Sequence, residues 1–176
     1  MVKIGIISDT HDNIDTAKKA IQYFNSNKID YCLHAGDIIA PFMAKLVFND
    51  LKCKENMILV QGNNDGEITG NRLNFTNIGC KFAGNYYVGT IDNKKILMQH
   101  DIHPTILESL GSSNKFDIII YGHTHSAEIK KVGNTVIINP GECCGILSGK
   151  NTIAIIDTQK MAAEIITVWV ILGPLI

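Results

Sequence analysis

Lys3-Ile4-Gly5-Ile6-Ile7-Ser8-Asp9-Thr10-His11 is the stretch on which the reading of the chain turns. Its apolar run has the length of a short buried strand, and it empties into Asp-x-His. Residues two apart in extended backbone point to the same side, so Asp9 and His11 are expected to leave the strand end together. A hard carboxylate oxygen beside an imidazole nitrogen suits Mn, Fe, Ni or Zn better than Ca. Asp-x-His also occurs in solvated loops, so its meaning depends on what the rest of the chain adds.

Outward from this stretch, Ile14 to Asn27 has helical periodicity: Ile14, Ala17, Ala20-Ile21 and Phe24 share a face, with Asp12 or Asn13 as N-cap. The apolar run Ile29 to Leu33 closes in His34-Ala35-Gly36-Asp37, and Pro41 opens a helix through Asn49. Met57 to Val60 is a third strand, ending in Gln61-Gly62-Asn63-Asn64-Asp65. Strand, helix and strand in alternation predict a parallel sheet covered by helices. Gly66 to Asn77 is polar and reads as a loop over or beside the site. Beyond it come strands at Tyr86–Ile91 and Lys95–Gln99 around an Asp92-Asn93 turn, then a short helix from Pro104 to Leu110 closed by Gly111. A strand from Phe116 to Tyr121 runs into Gly122-His123-Thr124-His125. Gly133-Asn134 turns a hairpin, and Ile153–Ile156 pairs with Ala163–Val170 in a last one. The second half therefore reads as antiparallel. The expected fold class is mixed α/β, two face-packed mixed sheets with helices outside, in one domain spanning residues 1–176.

The composition is that of an ordinary folded protein: 176 residues, 45% apolar and 19% charged. A formal net charge of −1 argues against a general nucleic-acid binder, which normally carries a basic surplus. The five cysteines show no C-x-x-C spacing and fit a reducing cytoplasm, and the adjacent pair Cys143-Cys144 reads as unpaired thiols. No N-terminal signal is visible, and the run Val168-Trp169-Val170-Ile171-Leu172 is too short to span a bilayer, so it reads as a final strand and tail. Nothing in the sequence sets an oligomeric state.

Five apolar strands end in groups able to bind metal: Asp9 and His11, Asp37, Asn63, His100, then His123 and His125. Strand ends that are distant in sequence meet along a shared sheet edge, where ligands of α/β sheets usually sit. The glycines at 36, 62 and 122 permit tight turns and close backbone approach. Four of the six histidines fall at these ends. Two carboxylates with neutral Asn and His donors would leave two divalent ions with a residual charge of about +2, enough to hold hydroxide and an anionic phosphate together.

In order and spacing, Asp9-x-His11, Gly36-Asp37, Gly62-Asn63, His100 and Gly122-His123-x-His125 resemble the calcineurin-like metallophosphoesterase superfamily, and the small size is similar to its compact bacterial and archaeal phosphodiesterases. The resemblance implies a four-layer α/β/β/α sandwich with a two-metal centre. It puts Asp9, His11 and His125 on one ion, Asn63, His100 and His123 on the other, and Asp37 between them. It also implies hydrolysis of a small phosphate ester, diesters ahead of monoesters, by in-line attack of a metal-bridging hydroxide.

The chain departs from the pattern once. Where the superfamily often has a histidine after Gly-Asn, this chain has Asn64, followed by Asp65. Asparagine can contact a phosphate oxygen but cannot protonate a leaving alkoxide, a contribution worth about 10²–10⁴ in rate, so good leaving groups are expected to be favoured. His103 could supply the proton or be a surface histidine at a helix start. His34 could brace the site or fill a structural hydrogen-bonded role. Asn139-Pro140-Gly141 reads as a turn, with no supported substrate role for Glu142. Lys94-Lys95 and Lys130-Lys131 read as solvated strand ends.

Three other readings compete. A protein-binding scaffold on the same fold, as in the small retromer subunit, would be marked by lost ligands, and none is lost. Protein Ser/Thr phosphatases follow the bridging aspartate with Asp-Arg-Gly, whereas Asp37 is followed by Ile38-Ile39-Ala40. Repair nucleases add a cap for which there is no spare length, and no aromatic or amide cluster near the motifs reads a base.

Overall fold

A computed structural model describes residues 1–168. Its elements begin with β1 (Lys3–Ile7), α1 (Ile14–Asn27), β2 (Tyr31–His34), α2 (Phe42–Leu46), β3 (Met57–Leu59), α3 (Ile68–Asn77) and β4 (Lys81–Phe82). They continue with β5 (Tyr86–Ile91), β6 (Lys94–Gln99), α4 (Pro104–Ser112), β7 (Ile118–Ile120), β8 (Ala127–Val132), β9 (Thr135–Pro140), β10 (Thr152–Asp157) and β11 (Ala162–Thr167). The tail expected from Trp169 onward lies outside the described residues.

The strands form two sheets, β11-β10-β1-β2-β3-β4 and β5-β6-β7-β9-β8. Side-chain alternation in β1 shows how the layers arise. Ile4 and Ile6 point into a core shared with Met98, Ile118, Ile120 and Ile138 of the other sheet. Ile7 points the opposite way, among Ala17, Ala20, Ile21 and Phe24 of α1. On the far side, Leu107 of α4 covers Leu97, Ile119 and Ile137. Helix, sheet, sheet, helix: the four-layer sandwich is the observed fold.

The α1 helix runs over the expected residues, capped by Asn13, whose Oδ1 accepts from Thr16 N–H at 3.3 Å, and closed by Lys28 in left-handed conformation. Elsewhere the sequence reading needs correction. The expected loop at 66–77 contains α3, which has no amphipathic stripe and buries only Asn71 and Phe75, one turn apart. Phe75 packs on Phe48 with ring centroids 5.4 Å apart, and the Asn71 amide donates to the Ile39 carbonyl at 3.1 Å. Tertiary contacts, not propensity, make this helix. The helix expected from Pro41 to Asn49 is α2 followed by a separate 3₁₀ turn at Phe48–Asp50, because Val47 leaves helical geometry. Gly111 does not stop α4. It lies inside the helix, where a β-carbon would fall 3.0 Å from Val132 and 3.1 Å from Ile137, so its bareness lets α4 approach the second sheet.

The second half is not simply antiparallel either. β6, β7 and β9 are parallel neighbours, with β5 and β8 added antiparallel at the edges. Ile118–Ile120 is wholly buried, the continuous apolar run of a central parallel strand. As a result β1, β2 and β3 in one sheet and β6 and β7 in the other end at one rim of the sandwich.

That rim is fastened by Asp65. Its buried carboxylate accepts backbone N–H groups from Gly62 (2.7 Å), Asp37 (3.1 Å), Ile38 (2.7 Å) and Ile39 (2.7 Å). The loop after β2 is thereby tied to the loop after β3. Asp65→Ala leaves these donors without partners, at about 1–3 kcal/mol for each buried group, so urea unfolding is expected to show a loss of at least about 3 kcal/mol.

Candidate metal centre

The loops after the strands place their side chains by unusual backbone geometry. Asp9, His11, Asp37, His123 and His125 all have positive φ, between 40° and 66°. The same-side argument from extended backbone is therefore the wrong reason for a right grouping. Left-handed conformations of non-glycine residues cost about 1–3 kcal/mol each and persist only where surrounding structure holds them. The hydrogen bonds do that holding. Asp9, His11 and Asp12 donate backbone N–H groups to the carbonyls of Gly36, Asp37 and Ile38 at 3.0–3.1 Å. On the other flank Cys143 and Cys144 donate to Ser8 and Asp9 at 3.0 Å. A β-carbon on Gly122 would lie 2.7 Å from Asp9 Oδ2, so glycine there lets the His123 loop close on Asp9.

The seven candidate donors meet in one place. His125 Nε2 lies 3.4 Å from Asp9 Oδ1, and His11 Nε2 lies 3.8 Å from that oxygen and 3.5 Å from Asp37 Oδ2. His100 Nε2 is 3.3 Å from Asp37 Oδ2 and 3.0 Å from Asn63 Oδ1, which is also 2.8 Å from His123 Nδ1. Asp9, His11 and His125 form one compact donor group; Asp9, Asp37 and His100 form another.

The back nitrogens of two rings show what this arrangement needs. His100 Nδ1 donates to the Ala35 carbonyl at 2.8 Å, which fixes the ring with Nε2 aimed at the Asp37 and Asn63 oxygens. His125 Nδ1 donates to Glu142 at 2.8 Å, so its Nε2 is turned toward Asp9 in the same way. Asp9 Oδ1 and His11 Nε2 are buried with no hydrogen-bond partner at all. Converging acceptors of this kind call for cations. The donor set fits two divalent ions.

Charge follows the same logic. Burial pushes the Asp37 pKa up, but hydrogen bonds from His100 and from Asn64 outweigh it and hold the carboxyl well below the usual range. The facing Asp9 raises the pKa of His11 against the effect of burial. A site that draws protons onto imidazoles draws metal ions for the same reason.

The remaining sequence candidates find other places. Asn64 sits at the mouth of the centre, its backbone N–H on Asp37 Oδ1 at 2.8 Å and its amide donating to Asp37 Oδ2 at 2.7 Å. His103 is exposed and caps α4, with Nδ1 accepting from Thr105 N–H at 3.3 Å. His34 is buried and neutral, lowered to about 4 by burial. Its Nδ1 accepts from Gly36 N–H (3.1 Å), so Nε2 donates to Thr10 Oγ1 (3.2 Å), bracing the Asp9 loop from behind. All five cysteines are unpaired.

Two residues escaped the sequence reading. One is Asp65, which clamps loops rather than orienting a histidine. The other is Glu142, fully buried, which accepts from His125, the Cys144 thiol and the backbone N–H groups of Ile146, Leu147 and Ser148. Burial opposes its charge, yet these bonds bring its pKa down to about 2. Its signal was available: an acid directly after the turn that ends β9, a strand beside β7 at the same rim. A cavity of about 560 Å³ between Asn13 and Gly145–Asn151 contains none of the seven donors, so chemistry rather than volume locates the centre.

Residues 2–161 match the family model of the calcineurin-like phosphoesterase superfamily domain. The chain belongs to this superfamily. Among its relatives, a phosphodiesterase of Methanocaldococcus jannaschii is 39% identical over 160 residues, covering 90% of this chain and 95% of that protein. A structurally characterised archaeal phosphodiesterase superposes with a TM-score of 0.88 at 38% identity, over 94% of this chain and 99% of its own. Vps29 from Entamoeba histolytica, solved in complex with zinc, shares the fold with a TM-score of 0.67 at 18% identity, covering 96% of this chain and 100% of that one.

Two substitutions probe the centre. Asp37→Asn is expected to lower the bound metal from two equivalents to less than one by elemental analysis; retention of both ions would break the bridging assignment. Glu142→Gln keeps the shape but loses the charge behind His125, and metal affinity is expected to fall about 10–100-fold in chelator competition.

Proposed function

We infer that the protein is a metal-dependent phosphoester hydrolase acting on small phosphate esters, diesters ahead of monoesters. The observation that carries this is the set of buried acceptors converging on two cation positions, with the His100 and His125 rings held from behind by Ala35 and Glu142. Asp9, His11 and His125 would hold one ion, Asn63, His100 and His123 the other, and Asp37 would join them. When bound, the ions supply Lewis acidity, making water nucleophilic near neutral pH and offsetting charge on phosphate oxygens. The donor types suit Mn, Ni, Fe or Zn.

The protein's own groups do the rest. Asp65 holds the Asp37 and Asn63 loops in register. Asn64 presents an amide at the mouth of the centre, within reach of a phosphate oxygen once its bond to Asp37 is exchanged. His103, exposed at the start of α4, is the candidate proton source for the leaving group. Asn64 itself has no proton to give an alkoxide, so rates should depend steeply on the leaving group.

We propose that residues 1–176 form one domain and that it works in the cytoplasm, a compartment that matches its five unpaired thiols. No helix among the described residues is long and apolar enough to cross a membrane. With a net charge of −1, nucleic acid is not proposed as a partner. A protein-interaction scaffold is the competing reading, and the intact donor set speaks against it.

A panel of aryl and alkyl mono- and diesters with Mn, Ni, Fe or Zn added tests the proposal. Aryl diesters are expected to turn over, chelation to abolish activity, and rates to drop steeply as leaving-group pKa rises. No hydrolysis of any ester by metal-loaded protein would turn the assignment to the scaffold. Asn64→His is expected to raise turnover of alkyl esters roughly 10–100-fold by restoring a proton donor, and His103→Ala to lower it if His103 is the existing one. Unchanged turnover in His103→Ala removes His103 from the mechanism.

A further inference from the structure

Two of the cavities that border the metal centre share no lining residue and differ in chemical kind. One, of about 270 Å³, lies at the His100 end and is lined by the amides of Gln61, Asn63, Asn85 and Gln99 together with Asp101. This is an amide cluster assembled from three separate chain segments, which is why no such cluster stood out along the sequence. The other, of about 230 Å³, lies at the His125 end, where His11 and Asn64 share the lining with Ile146 and Leu147.

Ile146 and Leu147 are 66% and 73% exposed. Single exposed apolar residues are ordinary on a protein surface. These two are consecutive, border the metal donors and are fixed in place. Their backbone N–H groups each donate at 3.1 Å to Glu142 Oε2, the same oxygen that accepts from His125 Nδ1. The apolar shelf is therefore anchored to a metal ligand through one carboxylate.

We propose that Ile146 and Leu147 form an apolar subsite for one arm of a phosphodiester, while the amide-lined cavity takes a hydrogen-bonding second arm. The proposal rests on the hydrolytic reading above and narrows its substrate class. The Ile146–Leu147 cavity also borders the donors His11 and His125, so a phosphate seated on the metals would place an organic arm there. An apolar cavity of about 150 Å³ is enough to take up benzene, so the room beside Leu147 suits a single ring or a short branched chain. A monoester has one organic arm and can fill only one of the two cavities. Two unlike cavities suit a diester whose arms are unlike.

Calorimetric titration of the manganese-loaded protein with methylphosphonate and phenylphosphonate tests the subsite without relying on turnover. Phenylphosphonate is expected to bind roughly tenfold more tightly, the gain from covering apolar surface with one ring. In the double variant Ile146→Ser, Leu147→Ser the ratio is expected to fall to about one, with metal stoichiometry and melting temperature unchanged, since both side chains are exposed and their N–H groups are kept. Equal affinities in the wild type, or a ratio that survives the double substitution, overturn the subsite and leave the hydrolytic assignment standing if aryl diesters still turn over. Absence of turnover with the affinity ratio intact does the reverse: it overturns catalysis and keeps the subsite.

Discussion

The structure depends on one buried carboxylate that is not among the seven candidate donors. Asp65 gathers the N–H groups of Gly62, Asp37, Ile38 and Ile39, four donors that a loop at a sheet edge would otherwise turn to water. Around it the chain keeps left-handed backbone at Asp37 and even at Ile39, where φ is 87° at a β-branched residue. Such a conformation is a genuine outlier for that residue type. It survives because the same hydrogen bonds that fix it also seal the rim against solvent. Without Asp65 the ends of β2 and β3 would still be adjacent, but their side chains would no longer be aimed.

Elements whose burial spacing is their own property were legible in the sequence; those held by distant partners were not. The β1 strand could be read from its apolar run and α1 from its periodicity, because each buries a face whose spacing is a property of the element itself. The meeting of the seven candidate donors could be read because each follows an apolar strand, and strand ends of both sheets share one rim. The α3 helix could not be read, since its stability rests on Phe75 and Asn71 meeting partners that lie elsewhere in the chain. Nor could the parallel order of β6, β7 and β9, for which β8 and α4 supply crossovers that resemble simple hairpin and turn connections. Asp65 and Glu142 escaped for a common reason. Each binds several backbone N–H groups of loops, and backbone carries no sequence signature.

The histidines divide the work between their two nitrogens. His100 and His125 use Nδ1 to anchor the ring and Nε2 to face the centre, whereas His123 turns its Nδ1 toward Asn63. His34, buried behind Thr10, uses both nitrogens structurally and stays neutral. Identical side chains thus become candidate ligand or strut according to whether a backbone carbonyl, a carboxylate or an N–H group claims the rear nitrogen. The position of that rear partner, rather than the presence of histidine, separates the roles.

Glu142 has a consequence beyond orientation. One of its oxygens holds both the His125 ring and the backbone of Ile146 and Leu147. Two events, ion capture by the ring and contact of a ligand with the loop, therefore share an ordering cost through one carboxylate. Once either has been met, the other has less conformational freedom left to surrender, and linkage requires the benefit to run equally in both directions. One carboxylate that holds both the ring and the loop can in this way make metal occupancy and ligand occupancy cooperative.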